Sequence, residues 1–301
     1  MTLDLRPISG PDEIDLFNAF PYVLNREVAG DLAAGRRHHH WLWLALDGDR
    51  PLARVGFWSR PHDPEPFCLD IFDLTDLGAG VSLLEKALAT VGRPAEYLRF
   101  VPPDWHDDPG VRRETELRLG AMAHTGAELL VERLRLQWEP GTPIAPPSPR
   151  LLFRGPASDD ELLGLMVRVL DGTLDAHSRD ELTRMTPHEQ ARTQYDEELT
   201  RYTGPRDWWR VATLPDGTPA GFVIPSHNGY NHVLAYIGVV PELRGRGLVD
   251  DILAEGTRIL AAQDPPRIRA STDVGNVPMA RAFARNGYRV HERQLDMVWP
   301  G

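Results

Sequence analysis

The chain has 301 residues, a length that favours two domains over one. Asp and Glu outnumber Lys and Arg by 44 to 33, and a surface with this net charge of −11 disfavours nucleic acid and anionic lipid as partners. A single cysteine, Cys68, excludes an internal disulfide and a cysteine-based zinc site, and no apolar run reaches the ~18 residues of a membrane span. We therefore expect a cytoplasmic protein without membrane or nucleic-acid partners.

The first half of the sequence predicts a mixed α/β domain. Strands are expected at "WLWLAL", "LARVGFW" and "FCLDIFDL", then a helix at "VSLLEKALATV", a strand at "AEYLRFV", a helix at "VRRETELRLGAM" and a strand at "ELLVERLRLQW". Three consecutive histidines, 38–40, precede the first of these strands. They cannot all face one ion and have no well-spaced cysteine or carboxylate partner, so no metal site is predicted.

A proline-rich segment, "EPGTPIAPPSPR" from Glu139 to Arg150, divides the chain almost in half. It has no helical or strand periodicity, and its prolines cannot continue a helix or a central strand. We interpret it as a semi-extended linker. The predicted boundaries are a first domain over 1–139, a linker over 140–150 and a second domain over 151–301.

The second half repeats the order of elements of the first, which indicates two copies of one domain. Helices are predicted over Asp159–Leu170 with Ser158 as N-cap, over Pro187–Tyr202 with Thr186 as N-cap, and from about Leu248 to Ala262. Strands are expected at "RLLFR", "WWRVATL", "AGFVIPS", "HVLAYIGVV", "RIRAST" and "YRVHERQLDMVW", with a helix at "NVPMARAFARNG".

The arginine–glycine loop, residues 240–247, joins "HVLAYIGVV" to the helix that starts near Leu248. Glycines and two arginines before a helix N-terminus are typical of an anion site, because the first amides of the helix are unpaired and glycine admits a ligand closely. The loop lacks the Lys-Ser/Thr of a P-loop and the spacing of a Rossmann fingerprint. Two alternatives stay open: a solvated turn whose arginines pair with Glu242 and Asp250, and an RNA contact.

The loop sequence "VVPELRGRGL" resembles the pyrophosphate loop of the GNAT acyltransferase superfamily, V-x-P-x-x-R-G-x-G-x-G/A. A second stretch, "TDVGNVPMARAFARNGYRV", resembles the later segment of that family, in which an asparagine opens a helix closed by Gly-Phe or Gly-Tyr. The resemblance implies acetyl-coenzyme A as co-substrate, held by strand backbone at the pantetheine, by loop amides at the diphosphate and by the later helix. The implied residues are Val239, Val240, Arg244, Gly245, Arg246, Gly247, Leu248, Val249, Asn276, Met279 and Phe283.

Two positions depart from the family pattern. Val249 stands where the pattern has Gly or Ala, which crowds the loop without abolishing it. Phe283 stands where many members carry a tyrosine that protonates the departing thiolate, and phenylalanine has no proton to give. Water, another group or unassisted departure of the thiolate would replace it.

The catalytic base is not obvious, because the strand before the loop lacks the glutamate that family members often use. His232 and Tyr236 are the candidate catalytic residues on this strand, although a surface histidine and a core tyrosine are the plainer interpretations. In "LDGTLDAHSRDELTR", Asp171, Asp175 and His177 are candidates for binding a cationic substrate. A solvated loop rich in helix caps is the alternative for that segment.

The resemblance thus implies an α/β protein of two tandem GNAT-like domains, each a central mixed, mostly antiparallel sheet flanked by helices. The first domain is expected to be a degenerate copy, since Asp73 and Asp76 stand near Gly78 and Gly80 where cations would be wanted. The expected activity is transfer of an acetyl group from acetyl-coenzyme A to a primary amine of a small molecule or peptide, by direct attack, in a monomer or homodimer. A non-catalytic acyl-coenzyme A-binding sensor or interaction module is the alternative.

Overall fold

The computed structural model describes residues 3–61 and 63–300, and these form two compact units. Unit 1 contains the described residues up to Glu132 together with those from Arg293 onward, and unit 2 is Arg133–Glu292. This division differs from the predicted boundaries at two places. The proline-rich segment falls inside unit 2, and the last residues of the chain return to unit 1.

Unit 1 is a mixed sheet flanked by helices. In chain order its elements are β1 (Asp4–Pro7), α1 (Ile14–Phe17), α2 (Asn25–Ala33), β2 (Leu42–Asp47), β3 (Arg50–Trp58), β4 (Cys68–Leu74), α3 (Leu77–Val91), β5 (Glu96–Val101), α4 (Pro109–His124) and the first half of β6 (Glu128–Trp138). The strand order β1-β2-β3-β4-β5 is antiparallel except for parallel β4 and β5. Residues 293–298 of the last strand pair with β5, which places the end of the chain in this sheet.

Unit 2 repeats the plan. Its elements are the second half of β6, then β7 (Leu152–Arg154), α5 (Asp159–Leu170), α6 (Ala176–Glu181), α7 (Pro187–Thr193), β8 (Arg210–Thr213), β9 (Pro219–His227), β10 (His232–Val239), α8 (Leu248–Ala261), β11 (Ile268–Asp273), α9 (Val277–Arg285) and the first residues of β12 (Arg289–Val298). The strand order is β6-β11-β10-β9-β8-β7, with β10 and β11 parallel and the other pairs antiparallel. The prediction of mixed, mostly antiparallel sheets flanked by helices is confirmed.

Local signals account for most helix starts. The hydroxyl of Ser158 accepts the N–H of Glu161 at 3.1 Å, and Thr186 forms a reciprocal capping box with Glu189. The helix predicted over Pro187–Tyr202 is shorter than expected. The α-helix ends at Thr193, after which residues 194–198 form a π-helical turn and 199–201 a 3₁₀ turn. Such interruptions often accompany functional sites.

Helix α8 lies on β9 and β10 because its apolar face is buried and one of its residues has no side chain. A Cβ atom at Gly256 would come within 2.7 Å of Val223 and 2.8 Å of Leu234, closer than real side chains approach. The helix therefore rests directly on the sheet, and its N-terminus is fixed beside the end of β10. Among the helices in residues 3–61 and 63–300, none combines the length and hydropathy needed to cross a bilayer.

Candidate active site

Strands β10 and β11 diverge and leave an open edge. They pair only through His232 with Ile268 and Val233 with Arg269, although β10 continues for six further residues. On its other side β10 stays paired with β9 as far as Val239, with a bulge between Leu234 and Tyr236. A strand edge of this kind offers backbone N–H and C=O groups to an extended, amide-containing ligand.

The backbone N–H groups of the last residues of β10 point alternately toward β9 and toward the open edge. The N–H of Val240 donates to Ala220 on β9, so it is not free for a ligand. Because successive residues of a strand point to opposite sides, the N–H groups of Val239 and Ile237 face the open edge. The structure thus places Val239 where the pantetheine was expected and gives Val240 a bond to the sheet instead.

The arginine–glycine loop presents unpaired amides at the end of this edge. After a single 3₁₀ turn at Pro241–Leu243, Gly245 and Gly247 adopt φ of 76° and 72°, a left-handed conformation that favours glycine. Helix α8 begins at Leu248 without a side-chain cap, and the five amides from Gly245 to Val249 donate to no acceptor among the described residues. Together with the N-terminal dipole of this 14-residue helix, they are the kind of arrangement to which anions bind.

The two loop arginines have different surroundings. Arg244 donates from Nε to the carbonyl of Val239 at 3.1 Å, from Nη1 to Asp171 at 2.6 Å and from Nη2 to Val169 at 2.8 Å. Its guanidinium therefore satisfies carbonyls at the C-terminal end of α5, which a helix leaves unpaired. Arg246 makes one long bond, 3.4 Å to the carbonyl of Glu242, and is exposed. Of the two side chains, Arg246 is the one placed to reach a phosphate.

Neither arginine pairs with the carboxylates that the solvated-turn alternative requires. Glu242 is paired with Arg168 at 3.3 Å, and Asp250 accepts from Arg285 at 2.9 Å and 3.1 Å. The carboxylates near the loop are thus neutralised by arginines from outside it. Their repulsion of any anion at the loop is correspondingly reduced.

The residues of the second family-like segment are structural in this state. The carboxamide oxygen of Asn276 caps α9 by accepting the N–H of Met279 at 3.3 Å, and Met279 packs against the core. Phe283 is buried and meets Tyr288 edge-to-face at 5.1 Å between ring centroids. The ring at position 283 is therefore a core residue, which suits phenylalanine.

Tyr236 follows the bulge, at the start of the open edge. Its ring packs edge-to-face on Phe222, with 5.0 Å between centroids. Burial, then the carboxylates of Asp175, Glu198 and Glu181, raise the pKa of the Tyr236 phenol well above its usual value, against the smaller opposing effect of Arg244. Tyr236 therefore stays protonated at neutral pH and can donate a proton, but it cannot serve as a base.

His232 lies at the other end of β10, where the strands are still paired. Its ring contacts His227, at 5.0 Å between centroids, and Trp208, at 6.0 Å. Burial and then His227 lower the pKa of His232, so the imidazole is neutral at pH 7. Tyr236 lies four positions farther along the strand, about 13 Å at the usual rise of ~3.3 Å per residue, so the two predicted catalytic residues do not meet.

The predicted substrate segment contains helix α6, which the sequence interpretation did not anticipate. Asp175 caps this helix by accepting the N–H of Ser178 at 2.8 Å, and its other oxygen lies 3.6 Å from Nη2 of Arg133. Burial opposes ionisation, but Arg133 and the Ser178 amide hold the pKa of Asp175 below its usual value. His177 is half-buried on α6. Asp171 is exposed, and it is its backbone carbonyl, not its carboxylate, that accepts a hydrogen bond from Arg244.

Two further residues complete this corner and were missed from the sequence. Asp273, at the end of β11, accepts the N–H of Ala176 at 2.6 Å and lies 3.1 Å from Nε of Arg133. Burial, and then Asp175, raise the pKa of Asp273, while Arg133 opposes the shift. A single arginine thus stands between two carboxylates, and Asp273 ties the start of α6 to the open end of β11. In the sequence, the only indication of these residues is that Asp273 is a polar residue at the end of "RIRASTD" and Arg133 a polar residue inside "ELLVERL".

Unit 1 has the same divergence of strands, but its gap is filled. Parallel β4 and β5 pair only through Cys68 with Glu96 and Leu69 with Tyr97. Beyond them the hydroxyl of Tyr22 accepts the N–H of Phe100 at 3.0 Å, so a side chain of unit 1 occupies the edge of β5 there. All residues of β4 are buried.

Unit 1 also lacks a free phosphate loop. Only Thr75 and Asp76 separate β4 from α3, and the Asp76 carboxylate accepts the N–H of Ala79 at 2.8 Å. Asp73 is fully buried and paired with Arg54, Arg99 and Arg118. One carboxylate is therefore a helix cap and the other an ion-paired core residue.

No family model and no curated protein matches this sequence. Solved structures do match over nearly the whole chain. A GCN5-related N-acetyltransferase from Sphaerobacter thermophilus has a TM-score of 0.62 and 14% identity, with 99% of this chain and 96% of that one covered. A tandem GNAT protein from the clavulanic acid biosynthesis pathway has a TM-score of 0.52 and 18% identity, with 98% of each chain covered.

A third similar structure is the glucosamine N-acetyltransferase region of a fungal multi-domain GH3 β-N-acetylglucosaminidase, with a TM-score of 0.58 and 15% identity. The match covers 98% of this chain and 38% of that one. At these identities the likeness is one of fold. The chain has the fold of tandem GNAT proteins, and the resemblance seen in the sequence is confirmed at that level.

Proposed function

We propose that unit 2 is an acetyl-coenzyme A-dependent N-acetyltransferase acting on a primary amine of a small molecule or peptide. The observation that carries the proposal is the continuity of the open β10 edge with the unpaired amides of the arginine–glycine loop. An extended arm bearing amides, followed by a diphosphate, is the ligand chemistry that such a path fits. The GNAT neighbours support the same conclusion, and one of them is described as a glucosamine N-acetyltransferase.

The chain offers a distinct group for each part of acetyl-coenzyme A. The N–H groups of Ile237 and Val239 would pair with the pantetheine amides at the open edge. The amides of Gly245 to Val249 and the side chain of Arg246 would hold the diphosphate. The co-substrate supplies an activated acetyl group as a thioester.

The amine attacks the thioester carbon directly. The new C–N bond forms as the C–S bond breaks, and the sulfur leaves as a thiolate that takes a proton. Tyr236 is the proposed donor, because its phenol is protonated and lies where the open edge begins. The proton that the amine loses passes to water, since β10 carries no carboxylate. His232 has no proposed role, since it lies on the paired part of the strand.

The acceptor is expected to be cationic. Three carboxylates act on the Tyr236 phenol, those of Asp175, Glu181 and Glu198, and the pKa of Asp175 is lowered so that it is ionised at neutral pH. They would attract a substrate with a second positive charge beside its reacting amine. Polyamines, aminoglycosides and basic peptides have this character.

The test is release of free coenzyme A thiol when purified protein is mixed with acetyl-coenzyme A and members of an amine panel. Turnover with a cationic amine, lowered about a hundredfold in a Tyr236→Phe variant that still binds coenzyme A, is the expected result. The alternative is an acyl-coenzyme A sensor, favoured by the absent β10 carboxylate and by Phe283. Tight binding of acetyl-coenzyme A without consumption by any amine would support the sensor, and no binding at all would refute both functions.

A further inference from the structure

We infer that Arg150, the last residue of the proline-rich segment, is a positioning residue of the arginine–glycine loop. Its guanidinium donates to two successive loop carbonyls, Arg246 at 3.2 Å and Gly247 at 3.3 Å. It also pairs with the carboxylate of Asp251, in the first turn of α8, at 2.7 Å. The inference rests on the proposed function, since it concerns how the coenzyme A site is held.

The two bonded carbonyls fix the direction of two amides. In a planar trans peptide the N–H points opposite to the C=O of the preceding residue. The carbonyls of Arg246 and Gly247 face Arg150, so the N–H groups of Gly247 and Leu248 point away from it. These are two of the unpaired amides of the loop, and they belong to the peptide groups on either side of Gly247. Gly247 has a φ of 72°, and a glycine is free to adopt other backbone conformations because it has no side chain. Arg150 restricts that freedom.

Asp251 holds the arginine in place. This carboxylate is in the first turn of α8, where alone it would add negative charge next to a bound diphosphate. Pairing with Arg150 neutralises that charge and orients the guanidinium toward the loop carbonyls. On its neighbour Asp250, Arg285 neutralises the charge in the same way but does not contact the loop backbone within the described residues.

The proline-rich segment delivers Arg150 to this position. The carbonyl of Ala145 accepts Nη2 of Arg258 on α8 at 2.8 Å, and the hydroxyl of Ser148 accepts the N–H of Arg150 at 3.2 Å. Three of the five residues from Pro146 to Arg150 are prolines with a fixed φ, and Ser148 is restricted because it precedes a proline. The segment predicted as a linker thus acts as a packed strap on α8, and Arg150 is its contact with the loop.

Four variants separate positioning from simple charge. Arg150→Ala removes the contacts and one positive charge. Arg150→Ala combined with Asp251→Ala restores the net charge but not the carbonyl contacts, and Arg150→Lys keeps the charge without a planar fork for three acceptors. Arg154→Ala is the matched control, because Arg154 is similarly exposed and ion-paired, with Glu161, away from the loop.

Two measurements are made on each variant. The first is the Kd of coenzyme A by calorimetry, with KM and kcat where turnover is found. We expect Kd and KM to rise about fivefold in Arg150→Ala and in the double variant, with kcat unchanged and only partial recovery in Arg150→Lys. The second is the ¹⁵N order parameter of the Gly247 and Leu248 amides in protein without ligand, which should fall from the ~0.85 of rigid backbone in the same variants only.

The outcomes distinguish this inference from the proposed function. Unchanged order parameters in Arg150→Ala, or full recovery of affinity in the double variant, would overturn the positioning role. If the wild type does not bind coenzyme A, the proposed function fails, and the order parameters alone decide whether Arg150 holds the loop. Weakened binding together with lowered order, both absent in Arg154→Ala, supports it.

Discussion

Substitution of Arg244 should lower the stability of the fold, whereas substitution of Arg246 should weaken ligand binding, although the sequence predicts both residues to be phosphate ligands. Arg244→Ala removes three short hydrogen bonds to carbonyls that join the loop, the end of β10 and the end of α5, at 2.6, 2.8 and 3.1 Å, and a longer one of 3.4 Å to the carbonyl of Gly172. Arg246→Ala removes one bond of 3.4 Å to an exposed segment. The first change should therefore destabilise the fold, and the second should weaken ligand binding alone.

The expected magnitude follows from the number and exposure of these bonds. A hydrogen bond contributes a net ~0.5–1.5 kcal/mol, and Arg244 is exposed, so water replaces part of what is lost. We expect unit 2 to lose about 2 kcal/mol of unfolding free energy, or about 6 °C in Tm. Arg246→Ala should stay within about 0.5 kcal/mol of the wild type. Its coenzyme A Kd should rise about tenfold, since a charge-assisted phosphate contact is lost.

Thermal unfolding without ligand gives the stability, and calorimetry with coenzyme A gives the affinity. Coenzyme A should shift to higher temperature the transition in which unit 2 unfolds, since a ligand stabilises the folded state that binds it. Arg244→Lys is the control for charge. A lysine ammonium keeps the positive charge but cannot serve three carbonyls in the directions that the guanidinium does, so most of the stability should remain lost.

One result would refute this reasoning. If Arg244→Ala unfolds at the wild-type temperature and loses only coenzyme A affinity, the arginine is a phosphate ligand and its carbonyl contacts do not stabilise the loop. Full recovery of stability in Arg244→Lys would likewise show that charge, and not the three-way bonding, matters.

Gly247→Ala should destabilise unit 2 by about 1 kcal/mol in urea unfolding and weaken coenzyme A binding, because φ is 72° there while the nearest side-chain atoms are 3.9 Å from an added Cβ; an unchanged midpoint would contradict the left-handed assignment. Tyr236→Phe should lower kcat about a hundredfold at constant KM for acetyl-coenzyme A, and the wild-type rate should show no phenol ionisation near pH 10, because that pKa is raised. Asp175→Asn should raise KM for a cationic amine about tenfold and leave KM for acetyl-coenzyme A unchanged, a split that a general folding defect would not produce. Burial, and then nearby arginines, lower the pKa of His291 to about 3 in the folded protein. As the pH drops from about 6.5 toward 3, the unfolded chain binds a proton that the folded protein does not, so the free energy of unfolding should fall. His291→Gln should reduce this pH dependence, measured as the difference between the urea midpoints at pH 7 and pH 5.

Features set by local chemistry were predictable from the sequence. The helix predicted from about Leu248 to Ala262 is observed over Leu248–Ala261, since its apolar spacing and preceding glycine are local signals. The helix expected to reach Tyr202 stops at Thr193, where the chain adopts a π-helical turn that periodicity does not reveal.

Features set by distant pairing were not predictable. Arg133 and Asp273 meet because β6 pairs with β11, and nothing in either segment specifies its partner strand. Arg244 bonds to carbonyls at the end of α5, and the sequence does not show where α5 ends relative to β10. From its charge alone, Arg244 was therefore predicted to be a phosphate ligand. Tyr236 and His232 looked equivalent until the divergence of β10 from β11 separated them.

The path of the last strand bears on whether the two units can fold independently. Residues 293–298 complete the sheet of unit 1, and residues 133–138 complete that of unit 2. If the chain were cut within the proline-rich segment, the first fragment would lack residues 293–298, which pair with β5. The second fragment would lack residues 133–138, which pair with β11. We therefore expect that neither half of the chain folds fully when the two are separated at this segment. Deleting the residues before it would also remove the strand that pairs with β11 in unit 2.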